Sequence, residues 1–379
     1  MNVLHISSFN SVAKNLGVLR QMEIEAGAAK ALDLNWDVVV FSGFEKDIDS
    51  EFVRFYPRFA KLRIIKRLLL ALFIIKCSRH YDVILLRYSP VDFFLPFVKI
   101  LSEKHSKILL VFHTKDKIAL AGAFSGLRRR VFVRLEDIIS RVSVRVFDGY
   151  VGVTNDILRF YSNRIGNHDK PVFVYPNGIE ICAERDCAKK QVASGVINAI
   201  FVASKFFVWN GLDDILFSFN SFDFQRLDML GKTLKIHIVG DLDSNFGVDV
   251  PGILRNGKHE IVFHGLQTKE ELSYLMGISD FGIGAFNLGI AGLEEACTLK
   301  VREYLSEGLP VYSGHVDVSI PKDFQYYRIG KPEIGAMVDF YFDINGSSRD
   351  VVSSAAEQFI DKTTLLKNFY LQLAQEFDG

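Results

Sequence analysis

A cation and two carboxylates lie in one short segment, and their types suit a phosphorylated sugar ligand. Lys300 and Glu303 are three residues apart, and Glu295 lies five residues before Lys300. The backbone amides of a helix beginning near Leu299 would join the Lys300 ammonium group in binding an anion such as a diphosphate. Carboxylates are poor partners for phosphate but good acceptors for sugar hydroxyls. The segment therefore predicts a nucleotide-sugar pocket, and the alternative is an ordinary amphipathic helix with a solvated polar face.

The element that must position these groups is predicted to be a short helix with recognisable ends. Thr298 is a favoured N-cap residue, Gly308 suits the position after the last helical residue, and Pro310 prevents continuation. Apolar residues recur at helical spacing between Val301 and Leu305, so this stripe should pack inward. Lys300 and Glu303 then share the opposite, accessible face.

The same segment resembles a known enzyme family. Glu295 and Glu303 form Glu-x7-Glu, and TLKVREYLSEGLPV resembles the Lys-x-x-Glu-Tyr-Leu-x-x-Gly-x-Pro-Val segment of retaining GT-B glycosyltransferases of family 4. The resemblance implies transfer of a sugar, with retention, from a UDP- or GDP-sugar to a glycan or lipid-linked acceptor in surface polysaccharide or glycolipid synthesis. It also implies that Glu303 holds ribose hydroxyls, that Glu295 holds a sugar hydroxyl, and that Lys300 and the amides from Leu299 onward hold the diphosphate.

A second segment, VASKFFVWNGLDDIL, resembles the family's Ser-Arg-Leu-x-x-x-Lys-Gly-x-Asp motif. In that family the Arg and Lys neutralise the leaving diphosphate. Lys205 stands at the Arg position and keeps the charge without the planar guanidinium, while Asn210 stands at the Lys position and keeps only hydrogen bonding. We therefore expect Lys300 to carry more of the phosphate charge in this chain.

Two further candidates follow predicted strands near the N-terminus. His113 ends the apolar run ILLVFHT, and Gly17 separates the first strand from its helix. Ligands of parallel α/β sheets bind at the carboxyl ends of the strands. The resemblance implies that His113 orients the sugar or the acceptor and that Gly17 approaches the donor phosphates; a satisfied histidine and a simple turn glycine are the alternatives.

Two other functions remain open at this point. One is a GT-B-fold epimerase acting on a UDP-sugar, and the other is a non-catalytic sugar-nucleotide-binding partner subunit, suggested by Asn210. The Asp-x-Asp pairs Asp47–Asp49 and Asp241–Asp243 resemble the metal signature of the other main glycosyltransferase fold, but they are predicted to be turns. We therefore expect neither a metal nor a cofactor.

The fold is predicted from alternating strand-like and helix-like stretches. Continuous apolar runs such as VLHIS, DVILLRY and ILLVFHT are typical of central parallel strands, and the rhythm restarts at AIFVAS. We predict an α/β protein of the GT-B type, with two Rossmann-like doubly wound parallel sheets facing a central cleft. The expected domains are residues 1–180 and 181–352, followed by a C-terminal helix over 353–379. The family resemblance implies that the first domain binds the acceptor, that the second binds the nucleotide-sugar, and that the C-terminal helix crosses back to the first domain.

Composition limits the class of protein. The 379 residues are 49% hydrophobic and 13% aromatic, which favours two folded domains over disorder. The four cysteines show no metal or CxxC spacing, so a reduced, cytoplasmic protein is expected. We see no cleavable leader and no apolar run of the roughly 20 residues that span a bilayer.

Charge is unevenly distributed along the chain. Residues 1–176 contain 27 Lys/Arg and 17 Asp/Glu, whereas residues 177–379 contain 18 and 28. Basic residues concentrate between Arg54 and Arg79, where they alternate with aromatics, and between Arg128 and Arg145. We expect peripheral docking of these stretches on the anionic inner face of a membrane, rather than nucleic-acid binding, for which no motif is present. A solvated basic helix is the alternative.

Overall fold

The computed structural model describes residues 1–9, 15–43, 50–56, 62–115, 126–165, 169–181, 195–242 and 252–378. The chain divides into two compact units, Met1–Glu180 with Lys362–Gly379, and Ile181–Asp361. Each unit contains one seven-stranded sheet. The predicted domain boundary after residue 180 is followed closely by residues 182–194, which are outside the described residues.

The first unit has an all-parallel sheet in the order β3-β2-β1-β4-β5-β6-β7. Its strands are β1 (Val3–Ser8), β2 (Trp36–Ser42), β3 (Val53–Phe55), β4 (Val83–Arg87), β5 (Lys107–Phe112), β6 (Gly149–Gly152) and β7 (Val172–Val174). The central strands are buried on both faces, which explains why they read as continuous apolar runs.

Helices cover both faces of this sheet. They are α1 (Leu16–Ala31), α2 (Arg63–Cys77), α3 (Leu95–Leu101), α4 (Gly126–Val146), α5 (Asn155–Ile165) and the C-terminal helix (Lys362–Phe377). Side chains of α2 to α5 pack on one face, and those of α1 and the C-terminal helix pack on the other. The side chains of successive strand residues point to opposite faces of the sheet, so each central strand contributes residues to the hydrophobic clusters on both faces.

The second unit has a sheet in the order β10-β11-β9-β8-β12-β13-β14, which is parallel except for the β10–β11 pair. Its strands are β8 (Val196–Phe206), β9 (Thr233–Leu242), β10 (Ile253–Asn256), β11 (His259–Gly265), β12 (Phe281–Ile283), β13 (Val311–Ser313) and β14 (Tyr327–Ile329). Its helices are α6 (Leu212–Ser221), α7 (Gln225–Met229), α8 (Lys269–Ile278), α9 (Leu299–Ser306), α10 (Ile334–Ile344) and α11 (Arg349–Ile360).

The end of the chain differs from the predicted single helix over 353–377. It forms α11 and the C-terminal helix, separated at Asp361 by an extended backbone with φ −71° and ψ 126°. Because α11 packs on α9, it belongs to the second unit, and the division falls after Asp361 rather than after residue 352. The short strands β3, β10 and β14 were also missed, since three or four residues carry too little periodicity to detect.

A buried carboxylate joins the C-terminal helix to the first unit. Glu25 of α1 is 2% exposed and accepts hydrogen bonds from His5 Nδ1 at 2.7 Å, Trp36 Nε1 at 3.0 Å and the Tyr175 hydroxyl at 3.1 Å. Lys362 Nζ, at the start of the C-terminal helix, lies 3.3 Å from its second oxygen. Burial alone would raise the pKa of Glu25, but His5 and Lys362 outweigh it and lower this pKa to about 2.

We predict that Glu25→Gln removes an acid-sensitive part of the stability. The folded pKa of about 2 lies below the unfolded value of 4.5, so this contribution is complete above about pH 4.5 and is lost as pH falls towards 2. Glu25 should account for about 3 kcal/mol of the unfolding free energy that the wild type loses over that window, and the variant should show a slope smaller by this amount. The unfolding free energy is measured at each pH by urea unfolding, monitored by Trp36 fluorescence in a Trp209→Phe background.

The matched control is Glu376→Gln, because Glu376 is exposed on the same C-terminal helix. It should keep the wild-type slope between pH 5 and 2. An unchanged slope in Glu25→Gln would contradict the assignment of the acid-sensitive stability to Glu25.

Candidate functional site

Helix α9 has the ends that the sequence predicts. Thr298 precedes it with an extended backbone (φ −77°, ψ 136°), and its side chain makes no capping hydrogen bond to the first-turn amides. Gly308 follows the helix with φ +71°, and a Cβ there would lie 2.4 Å from the carbonyl oxygen of Arg349. The predicted inward stripe is confirmed by the complete burial of Val301, Tyr304 and Leu305.

Tyr304 fixes α9 to the sheet by packing and by a hydrogen bond. Its ring lies against Gly282 of β12, where a Cβ would come within 2.4 Å of it. Its hydroxyl oxygen accepts a hydrogen bond from the Val202 amide of β8 at 2.8 Å. Burial raises the pKa of this phenol, so the group stays neutral. Helix α9 is therefore held at the carboxyl end of β8.

A bulge at that end of β8 sets the position of Lys205. The register with β9 pairs Val202 with Val239 but Lys205 with Asp241, so β8 contains one extra residue. Gly240 of β9 has φ +141°, and a Cβ there would lie 1.8 Å from the carbonyl oxygen of Ala203. Only glycine permits this approach, which brings Lys205 to the carboxyl edge of the sheet.

Asn210 closes the turn that follows Lys205. Its side-chain oxygen accepts a hydrogen bond from the Phe207 amide at 2.7 Å, across the 3₁₀ turn Val208–Asn210. Its backbone carbonyl accepts from the Phe286 amide at 3.2 Å, which ties the turn to the segment after β12. A lysine has no acceptor for the first of these bonds. The structure thus assigns Asn210 a turn-closing role that the motif comparison missed, and its donor contact stays a prediction.

The remaining predicted donor residues lie on the segment that leads into α9. Lys300 Nζ is 2.6 Å from Glu303 Oε2, and each side chain is about one-third exposed. Glu295 forms an isolated parallel β-bridge with Val316, which lies in the segment after β13. The Glu295 side chain is partly exposed. The structure therefore places Glu295, Lys300 and Glu303 on one accessible segment, with the Leu299 amide at its helical end.

A buried ion pair that involves α9 was not predicted from the sequence. Arg302 and Asp317 are both fully buried and joined by two hydrogen bonds, of 2.6 Å and 3.0 Å. Arg302 also donates to the Thr298 carbonyl at 3.1 Å and the Ser319 hydroxyl at 2.7 Å. Burial alone would lower the pKa of Arg302, but Asp317 outweighs it and raises this pKa, while Arg302 lowers the pKa of Asp317.

The only indication of this ion pair in the sequence was the position of Arg302 along the predicted helix. Arg302 is adjacent to Val301 and three residues before Leu305, so it falls on the buried side of the helix. Because Arg302 binds the carbonyl of the N-cap residue Thr298, the pair fixes the start of α9, where the first-turn amides lie.

The first unit contains the other two predicted residues. His113 directly follows β5, and among the described residues its buried Nδ1 has no hydrogen-bond partner. Burial, then the charges of Arg87, His5 and Lys362, hold its pKa well below the usual value, so the imidazole is neutral near pH 7. Gly17 lies within the first turn of α1 rather than in the preceding loop, and residues 10–14 of that loop are outside the described residues.

Within the described ranges, no group of three or more His, Cys, Asp and Glu side chains could hold a metal ion. Asp241 and Leu242 end β9, whereas Asp47, Asp49 and Asp243 lie outside those ranges. The expected independence from metal stays a prediction.

No protein-family model matches this sequence, and no curated protein is significantly similar to it. Solved structures do share its architecture. A glycosyltransferase from Rickettsia africae has a TM-score of 0.61 at 14% identity, covering 99% of this chain and 98% of its own. HepE from Anabaena, in complex with UDP and glucose, has a TM-score of 0.55 at 13% identity, covering 99% and 100%.

A third similar structure is an α-glucosyltransferase in complex with UDP and a 13-mer DNA, with a TM-score of 0.59 at 10% identity, covering 100% of this chain and 99% of its own. Such identities establish architecture alone. Together with the two seven-stranded sheets, these similarities show that the chain has the GT-B fold.

We predict that Arg302→Met destabilises the second unit strongly. The substitution leaves Asp317 buried without its cation, which should cost about 3–5 kcal/mol. The exposed pair Arg328–Asp343, with side chains 40% and 59% exposed, supplies a matched control, and Arg328→Met should cost less than about 1 kcal/mol. Urea unfolding, with amide hydrogen exchange of the α9 segment, measures both variants. Equal effects of the two variants would refute the role assigned to Arg302.

Proposed function

We propose that this protein is a glycosyltransferase that uses a UDP- or GDP-sugar. The observation that carries the proposal is the construction of α9: an uncapped helix N-terminus beside Lys300, with Glu303 and Glu295 accessible on the same segment. This arrangement suits a diphosphate bonded to a hydroxyl-rich ribose and sugar. The UDP complexes of two proteins with similar structures support the same ligand class.

In this proposal the leaving diphosphate is stabilised by Lys205, Lys300 and the amides from Leu299 onward. Glu303 holds the ribose hydroxyls, and Glu295 holds a hydroxyl of the transferred sugar. Transfer occurs on the front face with retention of configuration, so neither glutamate forms a covalent bond to the sugar. No metal is required, because the cations and amides neutralise the phosphate charge.

His113 of the first unit orients the sugar or the acceptor hydroxyl in this proposal. Its depressed pKa keeps the imidazole neutral near pH 7, so it accepts a hydrogen bond instead of contributing charge. Gly17, exposed in the first turn of α1, would allow backbone close to the donor phosphates.

A UDP-sugar epimerase and a non-catalytic partner subunit are separable by chemistry. Incubating the donor without acceptor yields an epimer only for the epimerase. A partner subunit binds the donor but shows no hydrolysis or transfer above background with membrane lipid present. The turn-closing bond of Asn210 weakens the argument for a partner subunit, because it explains that residue without loss of catalysis.

We predict that Glu303→Ala reduces affinity for UDP or GDP about tenfold, because the ribose loses a charged hydrogen-bond acceptor. Calorimetric titration of the nucleotide measures it, after a thermal-shift screen of nucleotide sugars has identified the base. Glu307→Ala is the control, since Glu307 follows the opposite end of α9 and should leave affinity unchanged. Unchanged affinity in Glu303→Ala would remove the ribose assignment.

We also propose that the first unit docks on the anionic inner leaflet of a membrane, where a lipid-linked acceptor would be found. Helices α2, α3 and α4 pack side by side on one face of the sheet. Their exposed apolar side chains are Ile64, Leu68, Leu72, Phe97, Ile100, Leu101, Leu127, Val131, Ile138 and Val142. Exposed cations on α2 and α4 include Lys76, Arg128, Arg130, Arg134 and Arg145. Apolar and basic groups together suit the interface of an anionic bilayer.

The surface differs in one respect from the sequence expectation. Strand β3 is Val53–Phe55, Tyr56 is buried and Phe52 and Phe55 are half-buried, so these three aromatics do not form the exposed face. Phe59 lies outside the described residues. Arg58, Lys61 and the side chains of Arg63 and Arg129 lie outside the described part of the chain. The described helices include none with the length and apolarity needed to span a membrane.

We predict that the protein sediments with phosphatidylglycerol vesicles and that added salt weakens this binding. The double variant Phe97→Ser/Ile100→Ser should bind several-fold less, because it removes apolar surface that would enter the bilayer. Met229→Ser, on the second unit, removes a side chain that is 81% exposed and should have no effect. Binding that is absent, or insensitive to salt, would contradict membrane docking.

A further inference from the structure

A pocket in the first unit lies at the carboxyl ends of β1 and β4. Its volume is about 70 Å³, several times the roughly 10–15 Å³ that one ordered water requires. The polar groups that line it include Ser8, Tyr56, Lys66, Arg67, Arg87 and Asp92. The carboxyl edge of a parallel sheet is where ligands of such folds bind.

Arg87 is the unusual member of this group. It ends β4 and is not exposed, and within the described part of the chain its guanidinium has neither a hydrogen bond nor an ion pair. Burial lowers its pKa to about 10, so it remains positively charged at neutral pH. A partly buried cation without a partner is costly, which indicates a site built to receive an anion.

The other groups that line the pocket give it a net positive charge. Arg67 Nη2 donates to the Pro90 carbonyl at 2.7 Å, and Arg67 Nε lies 3.5 Å from Asp92 Oδ2. Lys66 Nζ lies 5.6 Å from the centre of the Tyr56 ring, and the Tyr56 hydroxyl is hydrogen-bonded to Ser8 at 2.7 Å. Three cations and one carboxylate leave a formal charge of +2 in the pocket.

We propose that this pocket binds a phosphoryl group of the acceptor. The inference rests on the proposed glycosyltransferase function and specifies its acceptor as a phosphate ester. A phosphate monoester carries a charge of about −1.5 to −2 near pH 7, which matches the pocket. Its terminal oxygens can meet two guanidinium groups and an ammonium group together. A carboxylate offers two oxygens and one charge, and would leave the pocket positive.

The position of the pocket allows two sources of that phosphate. Lys66 and Arg67 line the pocket from α2, and the same helix presents Ile64, Leu68 and Leu72 on its exposed side. A lipid-linked acceptor could therefore place its phosphate in the pocket from a membrane surface, and a soluble sugar phosphate could enter from solution.

The test is calorimetric titration of inorganic phosphate into the full chain and its variants. Arg87→Met should weaken phosphate binding about ten- to a hundredfold, because a charged hydrogen-bonding partner is lost. Lys66→Met should weaken it as well, which guards against a folding defect specific to position 87. Arg79→Met is the matched control, since its side chain is 70% exposed on the surface, and it should bind phosphate normally.

Two comparisons separate this site from the donor site. Arg87→Met should bind UDP or GDP like the wild type, whereas Lys300→Ala should bind inorganic phosphate in this pocket like the wild type. Phosphate binding that depends on Lys300 and not on Arg87, or acetate binding as tight as phosphate, overturns the inference. Failure of the nucleotide to bind, with Arg87-dependent phosphate binding intact, would instead refute the proposed function alone.

Vesicles distinguish the two sources. Phosphatidylcholine vesicles containing phosphatidic acid present a lipid phosphate monoester, and Arg87-dependent sedimentation with them identifies a lipid-linked acceptor. Arg87-dependent binding of free phosphate, with vesicle binding unchanged in Arg87→Met, identifies a soluble phosphorylated acceptor.

Discussion

The buried ion pair between Arg302 and Asp317 holds together the part of the molecule on which its proposed chemistry depends. Two charges without solvent are stable only when their hydrogen bonds are satisfied, and Arg302 meets that condition through Asp317, Ser319 and the Thr298 carbonyl. The last of these contacts orients the first turn of α9. The pair thus fixes where the free amides of that helix point, while Lys300 and Glu303 stay at the surface of the same helix.

A second constraint arises from the backbone at the end of β8. The bulge between Val202 and Lys205 interrupts the regular ladder, and the Val202 amide finds its partner in the Tyr304 hydroxyl. Tyr304 can reach it only because Gly282 lets the ring approach β12. One tyrosine therefore satisfies an irregular strand and anchors α9, so the Tyr304–Val202 hydrogen bond links the two predicted phosphate-binding segments, at Lys205 and at Lys300.

The first unit holds its buried charged and polar side chains in two different ways. Glu25 accepts a hydrogen bond from His5 and lies 3.3 Å from Lys362 Nζ, and this network ties the C-terminal helix to the core. Arg87 and His113 lack such partners among the described residues, and Arg87 contributes to keeping His113 neutral. The unit therefore contains a charged guanidinium and a neutral imidazole, which we propose meet an anion and a hydroxyl, and its helices α2 to α4 present apolar and basic side chains to the outside.

Local pattern was sufficient for α9, because its caps, its inward stripe and its breaker lie within a dozen residues of one another. It was sufficient also for the buried parallel strands, whose burial on both faces leaves an uninterrupted apolar run. Pattern failed for strand β3 and for the break at Asp361, where the deciding contacts come from β2 and α9 rather than from neighbouring residues.

The sequence alone indicated most of the strands and helices, since periodicity and helix caps are local properties. Its resemblance to a known family indicated the GT-B architecture and the roles of the residues in the donor segment. Only the tertiary structure decided that Arg302 meets Asp317, that Asn210 closes a turn, and that Arg87 lines a pocket with Lys66. The reason is physical: whether a polar side chain is buried, paired or left to bind a ligand depends on groups brought to it from distant segments, and no spacing within one segment records them.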